Sequence, residues 1–148
     1  MNPLIMAMGI VVACLIAGCG SGSETTSGPL TKVQFIQQAN AICTKVAEEK
    51  NAALAEWKGE FPGGVKEISV HYNDGLKEVL GPWMEREASE LETITPPKQD
   101  EAVVDRMIKN LSKAGQTLAA EGEKALTHSS LPDFQREASA YGLTCESF

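Results

Sequence analysis

From Phe35 onward, apolar side chains return every three or four residues, and that period admits one kind of element. The first stripe is Phe35, Ile36, Ala39, Ile42, Cys43, Val46, Ala53, Leu54 and Trp57. This spacing gathers side chains on one face of an α-helix, whereas a strand would send them to both faces. Thr31 stands where an N-cap is needed, and Gln34 is placed to complete a capping box. Gly59, Pro62, Gly63 and Gly64 end this helix, which runs to about Lys58. A second stripe runs Val65, Ile68, Tyr72, Leu76, Val79, Leu80, Met84, Ala88 and Leu91, and it keeps helical phase through Gly75 and Gly81-Pro82. Proline inside a helix removes one hydrogen bond and costs ~3 kcal/mol, so a kink or break is predicted at Pro82. The rival reading, a turn at Asn73-Asp74-Gly75 between short strands, lacks the alternation that strands need.

Thr95-Pro96-Pro97 is predicted to close the second helix and open the third, with Thr95 as cap and a proline in the first turn. The third stripe is Val103, Val104, Met107, Ile108, Leu111, Ala114, Leu118, Ala125 and Leu126, broken by Ser129-Ser130-Leu131-Pro132. Ser130 with Asp133 reads as a capping pair for a last helix whose face is Phe134, Ala138 and Tyr141. Gly142 then takes the C′ position, with Leu143 set to pack back as in a Schellman ending. Four amphipathic helices on short links predict an all-α fold, an antiparallel four-helix bundle over residues 31–148. Composition agrees, because aromatic residues make up only 5% of the chain and Ala, Leu, Glu and Lys are common.

The segment before the helices sets the compartment. Residues 3–17 are almost wholly apolar and uncharged, a run shorter than the ~20 residues that span a bilayer and of the length of a signal-peptide core. It closes in Leu15-Ile16-Ala17-Gly18-Cys19, which resembles a bacterial lipobox: an aliphatic residue, two small ones and the acceptor cysteine. That resemblance implies a lipoprotein signal peptide over residues 1–18 and a diacylglyceryl group on Cys19. It also implies a cell-membrane location on the extracytoplasmic face. Two acyl chains suffice for stable anchoring. No Lys or Arg precedes the apolar core, so either the signal is atypical or translation begins upstream of Met1. Cys14 lies within the apolar run and is expected to leave with it. Residues 19–30 then form the lipidated cysteine and a flexible Gly/Ser/Thr tether, which reaches roughly 20 Å at ~5–6 Å × √n. Charge points the same way. With 13 Lys+Arg against 20 Asp+Glu the net charge is -7, which disfavours nucleic acid and anionic headgroups, so membrane contact must come through the anchor.

Setting aside Cys14 and Cys19 leaves Cys43 and Cys145, and two cysteines in an exported domain are expected to pair. The bridge would need Cα atoms within about 7 Å, laying the end of the chain across the first helix. The alternative is a redox or metal pair, but the chain has no C-x-x-C and no His beside either cysteine. Ala39-Asn40-Ala41-Ile42-Cys43, the central Thr95-Pro96-Pro97 and Tyr141-Gly142-Leu143-Thr144-Cys145 together resemble a group of small secreted and lipid-anchored helical lipoproteins of actinobacteria. In that group an A-N-x-I-C helix, a Pro-Pro and a G-L-x-C ending recur. The resemblance implies a fold and a disulfide, and it brings no catalytic residues.

The search for reactive groups returns little. His71 and His128 belong to neither H-E-x-x-H nor a Glu-x-x-His pair, and no G-x-S-x-G or S-x-x-K occurs. His71 sits beside Tyr72 and near Asp74, so a polar cluster there is one reading and a surface histidine the other. Met84 and Met107 occupy stripe positions, as core fillers before haem ligands. Glu85, Glu87, Glu90 and Glu92 surround Arg86 on a helix and are expected to face solvent rather than to bind calcium. No metal site, catalytic residue or cofactor is expected. The reading is a binding or interaction module of the cell envelope whose partner is an envelope protein, a wall component or a small ligand. The alternative is an envelope enzyme or a metal- or haem-binding carrier whose site leaves no motif.

Overall fold

The structure, a computed structural model, describes residues 30–145. The signal segment 1–18, Cys14, Cys19, the tether up to Pro29 and residues 146–148 lie outside the described residues. Among the described residues there is no strand, and the fold is all-α.

Helix α1 spans Lys32–Gly59 and opens on the capping box: the Thr31 hydroxyl accepts from the Gln34 amide, and the Gln34 side chain accepts from the Thr31 amide. Leu30, assigned to the tether on sequence, already packs against the core. All the buried residues of α1 fall in its first half: Phe35, Ala39, Cys43 and Val46. After the turn at residues 60–64, the stripe expected as one helix is divided. Helix α2 is Val65–Val70 and α3 is Tyr72–Gly75, separated at His71, whose backbone lies at φ -95 and ψ 10.

A π-helical turn follows at Leu76–Leu80, leading into α4 at Gly81–Leu91. Of the kink or break expected at Pro82, the break is absent, because Leu80 and Gly81 keep right-handed helical angles, and the irregularity is the π turn just before it. The Gly81 amide donates to the Leu76 carbonyl, five residues back. A wider turn ahead of the proline accommodates a ring that would crowd the carbonyl of residue i−4 in a regular helix.

Helix α5 is Glu101–Glu121, reached through a 3-10 turn at Lys98–Asp100. Thr95 is therefore not its cap: Thr95, Pro96 and Pro97 are non-helical, and Asp100 holds the N-cap position. Helix α5 also ends earlier than its stripe, at Gly122 with φ 59, and a 3-10 segment, Gly122–Thr127, leaves Leu126 exposed. Helix α6 is Leu131–Tyr141. Ser130 does not cap it through its side chain; the hydroxyl donates instead to the Asn110 carbonyl on α5, 2.6 Å away. At the other end the expected Schellman ending is present. Gly142 is left-handed at φ 105, its amide donates to Ser139 at 3.1 Å, and the Leu143 amide donates to Ala138 at 2.9 Å.

The core is centred on the α4–α5 pair, the most extensive packing in the molecule, with α6 and the first half of α1 laid against it. Gly81 and Gly115 bring those two helices into backbone contact. A Cβ on Gly115 would fall 2.8 Å from the Gly81 carbonyl oxygen, and one on Gly81 would fall 2.6 Å from the Ala119 nitrogen. Phe35, Leu91, Met107, Leu111 and Phe134 fill the interior, the last with 0% of its surface exposed.

Candidate functional site

Two places in the fold gather chemically informative side chains, one at each end of α1. The first is where the last described residues cross the front of α1. Cys43 and Cys145 are joined by a disulfide, with Cα atoms 5.0 Å apart across a sequence separation of 102. The surrounding residues hold the closing segment in place. The Thr144 amide donates to Asn40 Oδ1 at 2.8 Å, and Leu143 is buried. Tyr141 stands edge-on to Phe35 with ring centroids 5.9 Å apart, under the Lys32 ammonium at 4.2 Å. The Tyr141 hydroxyl donates to Asp100 Oδ2 at 2.8 Å, and burial together with that carboxylate raises its pKa. Segments 39–43 and 141–145 thus form one contact, in which Ala39 permits close packing, Asn40 accepts a hydrogen bond and Gly142 turns the chain.

Glu87 belongs to this same place, although its sequence neighbours suggest otherwise. Grouped with an acidic run it is expected to face solvent, yet it is 5% exposed, and its Oε1 has no hydrogen-bond partner. Burial pushes its carboxyl up to about 7, against the opposing pull of the Lys50 ammonium on α1. A carboxylate oxygen of Glu87 and the sulfurs of Cys43 and Cys145 all lie within 4.8 Å of one another. Among the described residues no other group of three or more His, Cys, Asp or Glu donors comes close enough to share an ion. Here the two sulfurs are bonded to each other, which removes them as metal ligands. The signal for burial is present in the sequence: Glu87 sits three residues after Met84 and four before Leu91, inside the apolar stripe.

The rest of the acidic run is surface chemistry. Glu90 accepts from Lys45 Nζ at 3.0 Å and from Arg86 Nε at 3.0 Å, and these donors, Lys45 first, lower its pKa. Arg86 also pairs with Glu49 and lies over the Trp83 ring at 4.6 Å. These contacts zip α1 to α4 along their exposed edges.

The second place is the far end of α1. Phe61 packs on Trp57 with centroids 4.9 Å apart and stacks on His71 at 4.7 Å. His71 Nδ1 is 3.0 Å from Asp74 Oδ2, so the histidine and the aspartate of the anticipated cluster do meet, at a half-exposed site. Tyr72 is 48% exposed and does not join that pair. Beside it, Val65 and Val70 are 84% and 78% exposed, and with Ile68 and Tyr72 they line a shallow concavity of about 450 Å³. His128 pairs separately with Glu121 at 3.0 Å and joins no cluster. Met84 and Met107 are buried in the core, as their stripe positions require.

Compared with protein-family models, with curated proteins and with solved structures, the chain matches none. No described helix is long and apolar enough to cross a membrane.

Proposed function

We propose that this chain is a lipid-anchored lipoprotein of the extracytoplasmic membrane face, a disulfide-closed antiparallel four-helix bundle that acts as a binding module for an envelope protein. The lipobox-like Leu15-Ile16-Ala17-Gly18-Cys19 after an uncharged apolar run is the observation that carries the anchor. The paired cysteines of the folded part suit an oxidising compartment. The group of actinobacterial lipoproteins it resembles supplies the same expectation.

The binding role is supported by the exposed aliphatic side chains at Val65 and Val70. Contiguous exposed apolar surface on a soluble domain commonly marks an interaction site. Helix α1 has 28 residues, a length of ~42 Å at 1.5 Å per residue, so this surface lies at the opposite end of α1 from the tether. That position suits contact with something other than the anchoring leaflet. A shallow aliphatic concavity suits a protein side chain better than a small ligand, which needs a site that encloses most of its surface.

Mass spectrometry of the membrane-bound protein should find diacylglyceryl on Cys19 as the first residue, and Cys19→Ser should be released or left unprocessed. Membrane retention and normal processing of that variant would remove the anchor. A photocrosslinker at Val70 should give an adduct in intact cells that Val65→Asp abolishes, while the same group at exposed Ala140 gives none. Equal labelling at both positions would remove the docking surface.

A further inference from the structure

A carboxyl group with an unpaired oxygen, buried against a disulfide, is a costly arrangement that the Lys50 ammonium offsets only in part. A buried acceptor without a donor costs about 1–3 kcal/mol, and an apolar side chain of similar size at Glu87 would avoid that cost. Reduction changes this. It frees both sulfurs, each within 4.8 Å of a Glu87 carboxylate oxygen, and gives them S–H donors that the disulfide lacks. The bridge is also approachable. Cys145 is only partly buried, whereas Cys43 is 2% exposed, and an open groove of about 330 Å³ lined by Cys43, Thr44, Ala47, Glu48, Asn51 and Thr144 runs beside the bridge on its Cys43 side.

We infer that Cys43–Cys145 is an exchangeable disulfide, reducible in the folded protein by an envelope dithiol, and that Glu87 is the proton donor of the exchange. A thiolate of the dithiol attacks Cys145 Sγ, the more exposed sulfur. A new S–S bond forms there as the Cys43–Cys145 bond breaks, and the electron pair leaves on Cys43 Sγ, which takes the proton of the Glu87 carboxyl. The second thiol of the dithiol then attacks the mixed disulfide. It releases Cys145 as a thiolate that is protonated from water, and Glu87 recovers its own proton from water. Two electrons and two protons pass from the dithiol to the cysteine pair, and the dithiol leaves as its disulfide. A carboxyl group pushed up to about 7 is half protonated near neutrality, so it can give a proton to a buried thiolate and recover one. None of these steps depends on the anchor at Cys19.

The test uses the full chain with Cys14→Ser and Cys19→Ser, so that only Cys43 and Cys145 are titrated. Reduction by dithiothreitol is followed by thiol trapping, and the unfolding rate is measured in the same buffer. The disulfide should open faster than the protein unfolds. Glu87→Gln and Glu87→Met should each slow opening about tenfold, and Glu92→Gln should leave it unchanged. Glu87→Met should also shift the thiol–disulfide equilibrium about tenfold toward the bridge, equivalent to about 30 mV. Gln isolates the loss of the proton, since its carbonyl still accepts a hydrogen bond. Reduction that proceeds only at the unfolding rate, or that is equally fast in the Glu87 variants and the parent, would overturn the inference.

Discussion

The two halves of α1 are one continuous helix, and they differ in what they bury. Its first half buries Phe35, Ala39, Cys43 and Val46 and is crossed by the end of the chain, through the disulfide and the Thr144–Asn40 hydrogen bond. Residues 47–59 contain no buried side chain, and Leu54 and Trp57 are only partly covered. Beyond that half come short interrupted helices, a π turn and the exposed valines. The burial and the disulfide are concentrated where residues 141–145 cross α1, and apolar side chains are left exposed beyond its other end. Stapling one end allows a domain this small to leave apolar side chains exposed at the other, since only the net stability of the whole must remain favourable.

The largest test of this difference is removal of the staple. Cys43→Ala/Cys145→Ala opens a loop closed over a separation of 102 residues and should cost up to ~4.7 kcal/mol in denaturant unfolding. Next come substitutions within α1 itself. Phe35→Ala should cost about 3–5 kcal/mol, because its ring is 1% exposed, whereas Leu54→Ala should cost about 1 kcal/mol or less. Equal losses at the two positions would erase the distinction between the halves.

Acidity sharpens the comparison. The Glu87 carboxyl is raised from 4.5 to about 7, so the folded protein binds a proton that the unfolded chain has already released between those values. Stability from this group is complete below about pH 4.5 and declines as pH rises to about 7, a loss of about 3 kcal/mol at 1.36 kcal/mol per pH unit. Glu87→Gln should flatten that part of the stability–pH curve. A more modest effect than that of Glu87 concerns the Tyr141 hydroxyl. Tyr141→Phe gives up its hydrogen bond to Asp100 and should lower stability by about 1–2 kcal/mol.

What can be read from the sequence is whatever neighbouring residues decide among themselves. The Thr31–Gln34 box and the Gly142–Leu143 ending are set by hydrogen bonds over three to five residues, and both are present. Features that depend on distant partners are not legible in this way. Pro82 continues a helix because a π turn precedes it, while Gly81 meets Gly115 on another helix. Ser130 turns from its own helix to a carbonyl 20 residues earlier. Glu87 reads as a surface residue from its charge and its acidic neighbours, although its register places it between Met84 and Leu91 on the buried face. The disulfide is legible by elimination, but a carboxyl group beside it is not, because Glu87 is remote in sequence from both cysteines.

Native-state hydrogen exchange along α1 tests the central claim most directly. Amides at residues 39–46 should exchange only through global unfolding, with an opening free energy equal to that from denaturant and the same denaturant dependence. Amides at residues 52–58 should open locally, with a smaller free energy that denaturant hardly changes. Reducing the disulfide should bring the first group down toward the second. Uniform protection along the whole of α1, unaltered by reduction, would contradict the division between a stapled end and an open one.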